Sequence, residues 1–130
     1  MPNTIDLKGA LVLLVDDDEF LRGMYAAKFK AKGAEVVEVS TSEEGIERLR
    51  GGLSPKLIAF DLVMPGIDGY GFIETLMRDK IAPQAAKIAL SNQSNKEEIE
   101  RVINLGADGH LTKAGSTPSE IIDKIIEMIA

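Results

Sequence analysis

A chain of 130 residues, 45% of them apolar, has room for one domain with a sizeable core and is too apolar for a disordered tail. Its formal net charge of −6 argues against general binding to nucleic acid or anionic membranes, and the absence of Cys rules out disulfides and thiol chemistry. No basic-then-apolar leader pattern opens the chain and no apolar run approaches membrane-spanning length, so a cytoplasmic location is expected.

Only 5% of the residues are aromatic and Trp is absent, so Val, Ile, Leu and Ala must build the core. Leu11 to Val15 is a continuous apolar run, the mark of a strand covered on both faces. Asp18 is placed to cap a first helix with Leu21, Met24, Tyr25 and Phe29 at helical spacing, and Gly33 to end it. Val36, Val37 and Val39 make a second strand. Thr41 with Glu44 reads as a capping box opening a second helix, with Ile46 and Leu49 on its apolar side and Gly51 and Gly52 as its stop. Leu57 to Phe60 is a third strand, followed by Asp61, a Pro65-Gly66 turn, an Asp68 cap and a flexible Gly69. Phe72, Ile73, Leu76 and Met77 mark the third helix, and Lys87 to Leu90 a fourth strand. Ser94 with Glu97 reads as another capping box, leading into Ile99, Val102 and Ile103. After Gly106 to Gly109 a short fifth strand ends at Leu111, and Thr117, Pro118 and Glu120 start a last helix lined by Ile121, Ile122, Ile125, Ile126 and Ile129. Five strands alternating with five helices predict an open α/β sandwich with a parallel sheet.

In such sheets ligands sit outside the carboxyl ends of the strands. Those ends carry Asp16 and Asp17 on the first strand, Asp61 on the third, Ser91 on the fourth and Lys113 on the fifth. Two carboxylates about 4 Å apart repel by roughly 4 kcal/mol at an effective dielectric of 20, so three in one crevice call for a cation or a proton. Carboxylate oxygens without His or Cys select Mg²⁺, Mn²⁺ or Ca²⁺ over zinc, and Mg²⁺ commonly joins carboxylates to phosphate oxygens. A carboxylate can also accept a phosphoryl group as an acyl phosphate, with Lys113 and the Ser91 hydroxyl holding its other oxygens.

Over about residues 8–130 the chain resembles the receiver domain of bacterial two-component response regulators. The resemblance rests on Asp16-Asp17, on Asp61 followed by Met64-Pro65 and Asp68-Gly69, on Ser91, and on Lys113 preceded by Gly106, Ala107, Asp108 and Gly109. It implies a flavodoxin-like three-layer (βα)5 sandwich with strand order 2-1-3-4-5, and a single receiver domain over residues 1–130, stand-alone or trimmed from a longer regulator. It further implies a non-enzymatic signalling module that takes a phosphoryl group from the phosphohistidine of a sensor histidine kinase or phosphotransfer protein onto Asp61, and later loses it. Asp17, Asp61 and the Val63 carbonyl would ligate Mg²⁺, or Mn²⁺, directly, and Asp16 through water. The output would be a changed surface over the fourth helix, fifth strand and last helix, offered to a protein partner or a second copy, with no direct binding of nucleic acid or membrane.

Three positions depart from the family pattern. Ala114 stands where Pro in a cis peptide is usual, and a non-proline cis bond costs about 2.5–4 kcal/mol, so a trans Lys113–Ala114 bond is expected. Asn92 replaces a small Ala and is expected to narrow access to the phosphoryl group. His110 replaces the Tyr or Phe that works as a switch with Ser91, so weaker, pH-dependent coupling is expected. Of the residues that tune acyl-phosphate lifetime, Val63 cannot orient an attacking water and Gln93 can. Two alternatives remain open: a haloacid-dehalogenase-like phosphatase using Asp16 and Asp18, and a pseudo-receiver that binds partners without phosphorylation.

Overall fold

The computed structural model describes residues 7–129. Strands β1 (Leu11–Val15), β2 (Glu35–Val39), β3 (Leu57–Asp61), β4 (Ala86–Ser91) and β5 (Gly109–Thr112) form one parallel sheet in the order β2-β1-β3-β4-β5. Helices α1 (Glu19–Ala31), α2 (Ser42–Arg50), α3 (Gly69–Arg78), α4 (Lys96–Leu105) and α5 (Pro118–Ile129) follow the strands in turn. This is the expected flavodoxin-like three-layer arrangement. β1 and β3 run side by side while their following connections leave in opposite directions, which opens a crevice between their carboxyl ends.

Two apolar layers hold the helices to the sheet. On one face Leu13, Val15, Ile58, Phe60 and Ala89 pack against Leu49, Phe72, Ile73, Leu76 and Val102. On the other, Val12, Leu14, Ala59, Ile88 and Leu90 meet Tyr25, Phe29 and the isoleucines 121, 122, 125 and 126 of α5. The alternation along β1, β3 and β4 is that of strands buried on both faces. Three apolar residues expected inside are not: Met24, Met77 and Ile103 are exposed, and Ala26 fills the α1 interface instead.

Most helix starts are as read. Asp18, Thr41 and Asp68 accept from the backbone of Leu21, Glu44 and Gly71, and Thr117 and Glu120 bond each other's backbone reciprocally. At α2 the Glu44 carboxylate returns to the N–H of Ser40, one residue before the cap, so that box is incomplete. At α4 the box is shifted by one: Asn95 is the cap and Glu98 its partner, while Ser94 bonds Thr112 on β5. Asn caps as well as Ser does, and the cross-strand partner decides between them.

Gly69 is required for closeness rather than flexibility. A Cβ there would lie 2.5 Å from the Asp61 carbonyl and 2.6 Å from Leu62 Cα, so the start of α3 presses directly on the chain leaving β3. At the opposite end of the sheet the buried Lys87 ammonium donates to the carbonyls of Ala82 and Ala85 at 2.7 and 2.9 Å, and the Lys87 N–H donates to Asp108. These bonds fasten a loop in which Lys80 and Ala82 have φ of 54° and 49°. Burial lowers the Lys87 pKa, with Asp108 opposing. A cavity of about 600 Å³ lies beside this loop, lined by Met77, Lys80 and Met128 among others, and includes none of the strand-end acids.

The Gly69→Ala variant is expected to lose about 1–3 kcal/mol by overpacking, read as a lower urea midpoint. Gly23→Ala, on α1 where a Cβ meets nothing within 4 Å, is expected to gain about 0.5–1 kcal/mol in the same measurement.

Candidate functional site

The strands around the crevice deliver polar groups at their carboxyl ends, two after β1 and one each at β3, β4 and β5. Asp16 follows β1 and is fully buried. Its carboxylate accepts from the Asp18 N–H at 2.9 Å and from Lys113 Nζ at 2.8 Å, across 97 residues of sequence. Both oxygens are therefore engaged inside the protein. The Arg22 guanidinium holds the Asp16 carbonyl at 2.8 Å and pairs with Glu38 on β2, which fixes the turn out of β1. Asp17 stands exposed at the mouth.

Asp61 ends β3 and is buried, with Lys113 Nζ 3.5 Å from its Oδ2. Carboxylate oxygens of Asp16, Asp17 and Asp61 lie within 4.8 Å of one another. The loop after Asp61 is held by alternate side chains: Leu62 and Met64 are buried, whereas Val63 between them is 71% exposed. The Leu62 N–H donates to the Leu90 carbonyl, and Gly66 takes the turn with φ of 74°.

Ser91 ends β4, buried, with its hydroxyl 2.8 Å from His110 Nε2. Lys113 is buried after β5, and its ammonium lies 5.9 Å from the centre of the Tyr25 ring. The Lys113–Ala114 bond is trans, as expected, and two bonds tie the chain beyond β5 to the end of β4 and its following loop: Lys113 N–H donates to Ser91 O at 2.7 Å and Ala114 N–H to Asn92 O at 3.2 Å. A proline at 114 would have no hydrogen for the second bond. The Asn92 and Gln93 side chains are exposed.

Three carboxylates facing one ammonium leave an excess of negative charge. Burial pushes the Asp61 carboxyl up to about 6; Lys113 pulls it down, but Asp16 and Asp17 push with the burial. Burial also works against the Lys113 charge, yet Asp61 and Asp16 hold its pKa above the usual value. Oxygen donors without His or Cys in the cluster suit Mg²⁺ or Mn²⁺, and the unbalanced charge supplies the attraction.

The sequence-level candidates Asp16, Asp17, Asp61 and Lys113 thus meet in one place, with Ser91 and His110 joined to each other. Arg22 and Tyr25 were not foreseen as site residues. Tyr25 is indistinguishable in sequence from any apolar position of α1, and the Arg22 contact depends on β2 lying beside β1.

Residues 12–126 match the response regulator receiver domain, and the chain belongs to that family. It is 36% identical over 106 residues to the nitrate/nitrite response regulator protein NarL of Escherichia coli K12, covering 80% of this chain and 48% of NarL. It is 38% identical over 116 residues to the transcriptional regulatory protein LiaR of Bacillus subtilis, covering 88% of this chain and 53% of LiaR. The chain therefore spans about half the length of these relatives. Against the chemotaxis protein CheY of Halobacterium salinarum it is 31% identical, covering 91% of this chain and 95% of CheY. The solved structure of Vibrio cholerae CheY4 superposes with a TM-score of 0.83 at 21% identity over 93% of this chain and 99% of that one, a likeness of fold. Family membership sets the phosphatase alternative aside, and Asp18, the second acid of that alternative, serves as a helix cap.

The raised Asp61 pKa carries a stability consequence. The native state binds more protons than the unfolded chain between 3.8 and about 6, so stability falls as pH rises through that window, by about 3 kcal/mol in total. With divalent cations chelated, Asp61→Asn is expected to be more stable than wild type by about 1–3 kcal/mol at about pH 8, the gain vanishing toward about pH 4. Urea unfolding across pH measures both.

Proposed function

We propose that the chain is a single phosphorylation-controlled receiver domain, spanning residues 1–130, in which Asp61 takes a phosphoryl group from a histidine kinase or phosphotransfer protein in the cytoplasm. The observation that carries this reading is the convergence of Asp16, Asp17 and Asp61 within 4.8 Å beside a buried Lys113.

A carboxyl titrating near 6 is ionised at neutral pH, so Asp61 is available as a nucleophile. One of its oxygens attacks phosphorus as the N–P bond of the donor phosphohistidine breaks; the imidazole leaves with the electron pair and takes up a proton. Lys113, already 3.5 Å from Asp61, moves its charge onto a phosphoryl oxygen without leaving Asp16. Ser91 supplies a hydroxyl hydrogen to a second oxygen. Asp17, Asp61 and the Val63 carbonyl would hold Mg²⁺, or Mn²⁺, which neutralises phosphoryl charge when bound, and Asp16, with both oxygens engaged by protein, would act through a bound water. Attack of water on phosphorus later returns the free carboxylate and inorganic phosphate.

New negative charge at Asp61 draws Ser91 and Lys113 inward, and the two are bonded to each other, Lys113 N–H to the Ser91 carbonyl, at the ends of β4 and β5. The α4-β5-α5 face is therefore the output surface, available to a downstream protein or to a second copy. The relatives named as transcriptional regulators and as a chemotaxis protein leave both kinds of output in view. No described helix is long and apolar enough to cross a membrane.

Incubation with acetyl phosphate and Mg²⁺ is expected to add the mass of one phosphoryl group to wild type and none to Asp61→Asn, with uptake lost on chelation of the metal. Intact-mass spectrometry decides it. Uptake that survives Asp61→Asn overturns the assignment of the acceptor, and no uptake by wild type favours an interaction module without phosphorylation.

A further inference from the structure

The Ser91 hydroxyl has one hydrogen and, 2.8 Å away, one imidazole nitrogen. The bond can run from the Ser91 O–H to Nε2, which places the proton of the neutral ring on Nδ1, or from Nε2–H to Ser91 Oγ. In the first arrangement a phosphoryl group claims the same hydrogen, and Nε2 loses its donor. The contact survives only if Nε2 itself carries a proton and gives it to Ser91 Oγ.

We propose that His110 is a positioning residue whose ring reverses its hydrogen bond to Ser91 on phosphorylation, making a donor chain from Nε2–H through Ser91 O–H to the phosphoryl oxygen, and that this chain makes phosphorylation proton-sensitive. The inference rests on the reading of Asp61 as acceptor and Ser91 as phosphoryl ligand. Two routes supply the proton. The ring exchanges its Nδ1 proton for one on Nε2 through water, with no net uptake, or it takes one from solvent and becomes a cation. The second route is favoured by the incoming negative charge and strengthens the chain, because a charged donor bonds more strongly than a neutral one.

The surroundings fit this. His110 is paired with Ala89 in the sheet, and Ala89 belongs to the core layer that includes Val102 of α4. On α4, Glu98 is the charged group that acts on the ring, favouring the cation against burial, which lowers the His110 pKa. Arg101 on the same helix is engaged over the Tyr70 ring, 4.0 Å from its centre. Lys113, just after β5, is committed to Asp16 and Asp61. The charged residues Asp123, Lys124 and Glu127 belong to α5, which packs on the other face of β5 through Leu111. The unmodified ring is therefore neutral at pH 7, and phosphorylation raises its pKa. By reciprocity, lower pH favours the phosphorylated form.

The chain has one histidine, so its ring gives an unambiguous signal. Two-bond proton–nitrogen spectra of the untagged protein are to be compared with and without beryllofluoride and Mg²⁺. The expected result is a proton on Nδ1 in the free protein, a proton on Nε2 in the loaded one, and a higher imidazole pKa on loading. Beryllofluoride affinity relative to His110→Phe is expected to rise by about 2- to 10-fold from about pH 8 to about pH 5, the span that one hydrogen bond supplies. Asp61 titrates in both proteins, so its contribution cancels in that ratio. His110→Gln, whose amide donates without titrating, is expected to restore affinity over His110→Phe with no pH dependence in the ratio. Loading that shifts other resonances and leaves the imidazole tautomer and pKa unchanged overturns the relay while sparing the phosphoacceptor reading. Failure of wild type to load overturns both.

Discussion

One ammonium is paired with two carboxylates, with a third beside them, at the end of the sheet. Lys113 reaches from the chain after β5 across β4 and β3 to bond Asp16 beyond β1, while standing 3.5 Å from Asp61. Bringing like charges into a buried crevice is unfavourable, and what makes it tolerable is that two cores, one on each face of the sheet, fix the strand ends that carry them. The fold thus gathers electrostatic repulsion at one place, where a bound cation would relieve it. Three other features lie around this contact: Arg22 on the Asp16 carbonyl, the Tyr25 ring below the ammonium, and Gly69 allowing α3 to start against the Asp61 backbone.

Much of this was legible in the chain because a strand covered on both faces must be apolar throughout, so its end is marked by the first charge. Leu11–Val15 and Leu57–Phe60 announce Asp16 and Asp61 in that way. Helix starts were legible for a related reason: short polar side chains satisfy the orphaned N–H groups of a first turn. The failures follow from partners distant in sequence. Ser94 and Asn95 are equivalent caps until β5 places Thr112 beside one of them. Met77 and Ile103 have core chemistry at core spacing, yet α3 and α4 lie toward solvent at those positions. Gly69 read as flexible because a sequence does not show the carbonyl that would collide with a methyl group.

The two ends of the sheet are built on opposite plans. At the amino end a buried lysine is matched by neutral carbonyls and one carboxylate, and it closes a loop. At the carboxyl end a buried lysine is outnumbered by acids. Similar burial of the same side chain therefore yields a fastening in one place and a reactive imbalance in the other. The difference lies in the charge count of the neighbours rather than in the residue.

The bond from the Ala114 N–H to the Asn92 carbonyl joins two connections that a proline at 114 would leave apart. With it, the chain after β5 is tied at two consecutive residues, 113 and 114, to Ser91 and Asn92. A displacement of either segment is thereby tied to the other.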